Sequence, residues 1–563
     1  MAWYDSAVFY HIYPLGLCGC PHDNNGETGE HFDKLNEWAE HAKRIGCNAI
    51  YIGPLFESGS HGYDTTDYRL VDRRLGTNND FKQFVKNCHA NDVKVIVDGV
   101  FNHTGREFFA FQDIKQNREN SRYKDWYCNV NFWGNNEYND GFSYDNWGGY
   151  NLLAKLNLWN PEVKNYHLET VKFWVDEFDI DGIRLDAADV LDFGFMKELR
   201  SFCNGLKPDF WLMGEVIHGD YSRWANNDML HSVTNYELHK GLYSGHNDHN
   251  YFEIAHTIKR LNGIVGDKKL YTFCDNHDVA RIYSKLNNKA HMYNVAILVY
   301  TVPGIPSIYY GSEFGIPGNK ENGSDWNLRP DLNLADFNEK DELPALYTTL
   351  GHLKQRFPEL TYGDYRELYL TTGQFAFARC LDGRAVVTAL NNADNGAHME
   401  INLPIGANKA VNLLTIDQST EVQEDTCTDD ATAKAWGNAR NELLDKAGQL
   451  VGASGEIRYK AEDIRKALEA LETGADFGQA VWNLFGNLND TMNNMHRVIG
   501  EFEQTMHKQE RNSVAAGGDC TGGESLEIRD GKLIVDLPAN KGVVVYLTNE
   551  SVSYTHLRAH ETR

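Results

Sequence analysis

Three carboxylates and two histidines in this chain stand just past short apolar runs, and their types suit one kind of chemistry. The run 93–98 ends in Asp98-Gly-Val-Phe-Asn102-His103, the run 178–185 in Arg184-Leu-Asp186, the run 210–214 leads into Glu215, and the run 270–274 leads into Asn276-His277-Asp278. Cleaving a glycosidic bond with retention needs a carboxylate nucleophile on one face of the sugar and a carboxylic acid at the leaving oxygen, about 5 to 5.5 Å away. Taken singly, each Asp is a turn former or helix cap and each His a loop hydrogen-bonder. Their recurrence after successive strands is what points to chemistry.

Asp186 stands two residues beyond Arg184, so on a strand both side chains leave from one side. The guanidinium is expected to keep Asp186 ionised, as a nucleophile must be. Glu215 follows Phe210-Trp-Leu-Met-Gly214, and burial there favours the protonated form that a general acid requires. Opposite environments therefore make Asp186 the nucleophile and Glu215 the acid. Asp278 is a third carboxylate that holds and distorts the sugar, and His103 and His277 suit its hydroxyls.

These residues need a frame that brings strand ends together. Eight runs rich in β-branched and aromatic residues recur at 7–13, 48–53, 93–98, 178–185, 210–214, 231–236, 270–274 and 306–310. Amphipathic stretches such as 31–44, 80–90, 163–178 and 252–261 separate most of them. That alternation predicts an α/β fold, a (β/α)8 TIM barrel, whose C-terminal rim carries the reactive groups. The barrel is expected over 1–103 and 162–358, with a loop subdomain rich in Asn, Tyr, Trp and Gly over 104–161 after the third strand. Alternating runs at 374–380, 384–391 and 532–537 predict a C-terminal antiparallel β-sandwich over 359–417 and 518–550.

A helical insert over 418–517 interrupts the sandwich. From Phe477 the residues Val481, Leu484, Leu488, Met492, Met495, Ile499, Phe502 and Met506 recur at helical spacing. The stripe fits a self-contained bundle or a partner surface. The tail 551–563 looks, from Val552 onward, like a translated library adapter and is set aside as non-native.

Composition narrows the function. Lys plus Arg number 54 and Asp plus Glu 80, a formal charge of −26 that repels phosphate backbones and anionic membrane surfaces. Ten cysteines over 563 residues form no CxxC pair, so neither a zinc site nor a disulfide framework is expected. The long uncharged run near 290–312 is broken by Pro303, Gly304 and Pro306, which predicts a buried helix and strand rather than a membrane span. The N-terminus shows no basic segment followed by an apolar one, and the expected location is cytoplasmic.

In their order, Asp98-Gly-Val-Phe-Asn-His103, Gly182-Ile-Arg-Leu-Asp186, Gly214-Glu215-Val and Asn276-His-Asp278 resemble the four signature regions of the α-amylase family, glycoside hydrolase family 13. The likeness extends to His61-Gly-Tyr63-Asp64, Lys155-Leu-Asn157 and Gly304-Ile-Pro-Ser-Ile-Tyr-Tyr-Gly311, and covers about 3–416 and 524–548. It implies a retaining enzyme acting on α-glucosidic bonds, closest to intracellular maltodextrin- or cyclomaltodextrin-degrading members. Asp186 is then nucleophile, Glu215 acid/base and Asp278 transition-state stabiliser. Tyr63 would stack on the sugar at the cleaved residue, and Arg184, His103 and His277 would bind its hydroxyls. Asp325 and Arg329 resemble the pair that bonds the next sugar on the non-reducing side, and Asp98 and Asn102 are structural at the site.

Three departures qualify the resemblance. Asp189-Val190 stands where secreted amylases carry Lys-His, which puts the usual acceptor-side contacts and the calcium arrangement in question, and no metal or other cofactor is expected. Ser312 replaces the usual Asp beside Glu313. The first strand begins almost at Met1, so neither a starch-binding nor an N-terminal β-domain is expected. The partner implied is an α-glucan oligosaccharide, not nucleic acid or membrane, with a homo-oligomer left open. An α-glucan transglycosylase and, from another class, a catalytically silent carbohydrate-binding or assembly protein are the alternatives.

Overall fold

The computed structural model describes residues 2–416 and 523–549. The helices expected within 418–517 and the tail lie outside the described residues. Eight strands, β1 Phe9–Ile12, β2 Ala49–Ile52, β3 Lys94–Gly99, β4 Gly182–Leu185, β5 Trp211–Gly214, β6 Ser232–Val233, β7 Tyr271–Phe273 and β8 Ile305–Tyr309, pair in the order β6-β5-β4-β3-β2-β1-β8-β7. All these pairings are parallel. The ring closes where Thr234, just past β6, bridges Tyr271 of β7.

Both faces of these strands are covered, so they read as apolar runs rather than as strict alternations. Phe9, Tyr51, Ile96, Trp211, Met213 and Phe273 fill the interior, with Phe9 stacked on Trp211 at 4.8 Å. Their neighbours Tyr10, Ile50, Val95 and Leu212 belong to the outer core. The main helices are α1 Phe32–Arg44, α2 Asn78–Ala90, α3 Pro161–Phe178, α4 Phe193–Leu206, α5 Tyr236–Asn247, α6 Tyr251–Val265, α7 Met292–Thr301 and α8 Glu342–Arg356. Local chemistry sets their limits. Thr77 caps α2 by accepting from the Asp80 N–H, and Asn160 accepts from Glu162 N–H ahead of Pro161 in α3.

One strand begins later than the apolar run predicts. Phe178 closes α3 and packs edge-on against Phe81 at 5.1 Å, Asp179 turns the chain at φ 58°, and β4 starts at Gly182. The aromatic residue serves the helix face, which hydrophobicity by itself does not distinguish from a strand.

Asp181 fixes the start of that strand. Its carboxylate accepts from the Val95 N–H at 2.9 Å and bonds His89 Nε2 at 2.7 Å, with Lys207 Nζ at 3.0 Å. Burial pushes this carboxyl up, but the His89 bond and the Lys207 charge outweigh it and hold the pKa at about 2. A depressed carboxyl contributes stability that is complete above its unfolded value, about 3.9, and is lost as pH falls toward 2. Asp181→Asn is expected to cost about 2.5 kcal/mol at pH 7 and progressively less below pH 4. Urea midpoints of both proteins at pH 7, 4 and 2.5 check this, and a gap independent of pH would contradict it.

Between β3 and β4 the chain makes the expected excursion. It holds a helix, Phe109–Asn117, and a small antiparallel sheet in which Tyr150–Lys155 pairs with His103–Thr104 and Asn146–Trp147. At the C-terminal side, a five-stranded antiparallel sheet faces a three-stranded one, Ala397–Asn402, Lys532–Leu537 and Ile528–Arg529. Val387, Met399, Val535 and Val545 share the core between them. The long uncharged run forms α7 and β8, and among the described residues no helix is long and apolar enough to cross a membrane.

Candidate active site

Strands β3, β4 and β5 lie side by side with Asp98, Arg184 and Met213 in register. Residues at one level of a barrel point the same way, so Asp98 and Arg184 meet. Arg184 Nη1 donates to Asp98 Oδ1 at 2.9 Å and to Asp186 Oδ1 at 2.8 Å, and Nη2 lies 2.9 Å from Glu215 Oε2. One guanidinium thus holds three carboxylates, and Asp186 and Glu215 sit at the same end of the barrel, within its span. They are not equivalent. The Asp98 side chain is 0% exposed, whereas those of Asp186, Glu215 and Asp278 keep 11%, 13% and 31%. Asp98 is a strut, with Tyr51 and Tyr63 hydroxyls donating to its other oxygen at 2.7 and 3.0 Å.

Two local features bring the acids together. Ala187 takes a left-handed conformation, φ 46° and ψ 44°, uncommon without glycine, and its N–H donates to Glu215 Oε2 at 3.0 Å. Gly214 is required beside it, because a Cβ there would lie 2.7 Å from Ala188 Cβ. On its other oxygen, Glu215 accepts from Tyr236 Oη at 3.5 Å, and Asn276 Nδ2 donates to that hydroxyl at 3.0 Å. The Asp278 N–H in turn donates to Asn276 Oδ1 at 2.9 Å, which ties Asp278 to the same rim.

Asp278 is held from the far side. Arg329 Nη2 donates to its Oδ1 at 3.0 Å and His277 Nε2 lies 3.1 Å from its Oδ2. Arg329 Nη2 also stands 3.6 Å from Asp325, which pairs with Lys320 at 2.8 Å. The Tyr63 hydroxyl makes a short contact with His277 Nε2, and their rings stack at 5.6 Å. Asn102 and His103 form a separate pair at the end of β3, Nδ2 to Nδ1 at 3.2 Å. His103 Nε2 is buried without a protein partner among the described residues.

Burial decides the charges. His103 is pushed down to about 3, chiefly by burial and then by His61. His277 is held well below the usual imidazole range, first by burial and then by Arg329. Both rings are therefore neutral near pH 7. The expected contrast between the two acids is not what the structure presents. Burial raises both carboxyls, Asp186 well above its usual value and Glu215 above its own, against the pull of Arg184 on each. Sequence spacing gives Arg184 to Asp186 alone, whereas in space the guanidinium reaches both. Buried like charges around one cation favour a proton on the pair, which titrates as a unit.

The supporting residues missed from sequence are Tyr51, Tyr236, Tyr13 and the Ala187 N–H. Tyr13 accepts from Arg329 Nη1 at 3.2 Å. Tyr236 and Tyr13 do close the predicted runs 231–236 and 7–13, a positional signal that leaves their partners unspecified.

The α-amylase catalytic domain, as a family, matches residues 23–345, more than half of the chain. The chain belongs to the α-amylase family. This α-amylase-family protein is a glycosidase. A cyclomaltodextrinase of Thermoanaerobacter pseudethanolicus is 30% identical over 427 residues, covering 69% of this chain and 71% of that protein. An intracellular maltogenic amylase of Bacillus subtilis is 28% identical over 439 residues, covering 73% and 72%. Among solved structures, a debranching enzyme from Nostoc punctiforme aligns with a TM-score of 0.64 at 29% identity, covering 72% of this family member and 92% of that chain.

Proposed function

We propose that the protein is a retaining α-glucoside hydrolase that cleaves α-1,4 bonds of maltodextrins or cyclodextrins through a covalent glycosyl-enzyme intermediate. The observation that carries this is the grip of Arg184 on both Asp186 and Glu215 at the open rim. Asp186, ionised, attacks the anomeric carbon while Glu215 gives its proton to the glycosidic oxygen, so the C–O bond breaks as the ester forms. Water, deprotonated by Glu215, then attacks the same carbon and releases Asp186, and two inversions leave the α configuration. Burial, which raises both carboxyls, favours keeping on the pair the proton that the first step consumes.

Asp278 faces the positive charge that develops on the ring, held in place by Arg329 and His277. The free Nε2 of neutral His103 suits a sugar hydroxyl, and the aromatic face of Tyr63 suits the apolar C–H face of a pyranose. Asp325, beside Arg329, would bond the next sugar on the non-reducing side. Asp98 and Asn102 act by holding Arg184 and His103. The same reading keeps the barrel at 1–103 with 162–358, the loop subdomain at 104–161 and the sandwich at 359–417 with 518–550. A cytoplasmic location is supported by the intracellular relative and by the eight described cysteines, all of them free.

Product analysis with maltoheptaose and β-cyclodextrin tests the proposal. Short α-configured maltooligosaccharides are expected from both, with NMR of the first-formed anomer as the check. An initial β anomer would exclude retention, and longer chains built from maltoheptaose would shift the reading to a transglycosylase.

A further inference from the structure

The loops that carry the two acids run on into a depression of about 740 Å³, bounded by Trp159, Asp189, Val190, Phe193, His218 and Trp224. Two walls grow from the reactive loops, since Asp189 is three residues past Asp186 and His218 three past Glu215. Its floor is two aromatic rings, Phe193 and Trp224, with the Arg223 guanidinium over them at 5.4 and 5.2 Å. Trp224 and Phe193 meet edge-on at 5.9 Å, and Trp224 is only 5% exposed.

Trp159 is the unusual member. It is 80% exposed, among the largest exposures of any apolar side chain described, yet its backbone is pinned on both sides. Its N–H donates to Asn157 Oδ1 at 3.2 Å, and the amides of Asn157 and Asn160 both donate to the Asp125 carbonyl at 3.1 Å. Asn160 then caps α3 through the Glu162 N–H. The backbone beneath the indole is thus fixed, and the exposed ring offers an aromatic face to an apolar surface.

We propose that Trp159 is the platform for the glucosyl unit on the leaving side of the cleaved bond, and that it sets how strongly this enzyme binds acceptor sugars. This rests on the glycosidase reading above. The leaving side follows from placement: the depression continues the loops carrying nucleophile and proton donor. Asp325 and Arg329, in contrast, gather around Asp278 and line none of it. Asp189 and Val190 bring no cation to this wall; the one beside it, Arg223, lies over the Phe193 and Trp224 rings, so the indole of Trp159 offers the open stacking face. Val190, 49% exposed, adds a second apolar contact, and Asp189 and His218 supply hydroxyl partners at the rim.

Two substrates separate this from the catalytic reading. Maltoheptaose places sugars on the leaving side, whereas α-maltosyl fluoride places only fluoride there. Trp159→Ala is expected to lower the ratio of kcat/KM for maltoheptaose to that for α-maltosyl fluoride about tenfold. Transfer from α-maltosyl fluoride to added maltose should fall with it, and Trp159→Phe should restore most of the ratio. Trp133, 98% exposed in the same excursion but absent from the depression, is the control: Trp133→Ala should leave the ratio unchanged. Equal losses on both substrates, no loss on either, or the same loss in Trp133→Ala would overturn the proposal. A wild-type protein inactive on both substrates would instead overturn the proposed α-glucoside hydrolysis beneath it.

Discussion

Replacing Asp186 with Asn is expected to lower kcat about 10,000-fold on both maltoheptaose and α-maltosyl fluoride, because the carboxamide cannot form the glycosyl ester. The loss is independent of the leaving group, since the bond that fails to form is the one to the anomeric carbon. Folding should not suffer. The Asp186 carboxyl is pushed up by burial and by the nearby Glu215 charge, against Arg184, so its ionised form is strained at neutral pH. A group raised in this way contributes less to stability as pH rises, and its neutral isostere removes that cost. Asp186→Asn should therefore melt at the same temperature as the wild type or higher at pH 7. Retention of more than a tenth of the wild-type rate would remove Asp186 from the chemistry; a collapsed melting transition would leave Arg184 pairing as its main role.

Glu215→Gln should behave differently with the two substrates. Hydrolysis of maltoheptaose is expected to fall about 1,000-fold, because the leaving sugar oxygen departs without a proton. With α-maltosyl fluoride the first step survives, since fluoride needs little protonation, and the second step becomes limiting because no base activates water. Added azide, which needs no base, should then restore turnover and yield α-maltosyl azide, the configuration set by attack on a β-linked ester. Mass spectrometry and NMR of the product decide the matter. Absence of azide rescue, or equal losses on both substrates, would mean that Glu215 is not the acid/base and that its bond to Arg184 is structural.

The two variants test a division of labour that the unliganded electrostatics leave shared. Arg184 lies 2.8 Å from Asp186 and 2.9 Å from Glu215, and burial raises both acids. The assignment of roles therefore depends on where each oxygen faces the sugar, which the contrast between substrates measures directly.

Much of this was legible from the chain alone. The eight apolar runs became eight strands because burial on both faces is written residue by residue, and the reactive side chains follow those runs because strand ends form the rim. Phe178 shows where such reading stops, since an aromatic residue between helix and strand carries no mark of which it serves. The pairing of Arg184 with Asp186 was readable because two residues on one strand share a face. Its equal hold on Glu215 was not, nor were the Tyr13 bond to Arg329 and the Tyr236 bridge toward Asn276, since these partners are 316 and 40 residues apart. Local sequence thus determined the barrel and the reactive side chains that follow its strands, whereas the folded arrangement decided which carboxyls crowd one cation, which aromatic face stays bare and what Arg184 holds. Hydrophobic periodicity is a property of neighbours along the chain, but fields, hydrogen bonds and burial depend on distances through space, which exist only once the strands have closed.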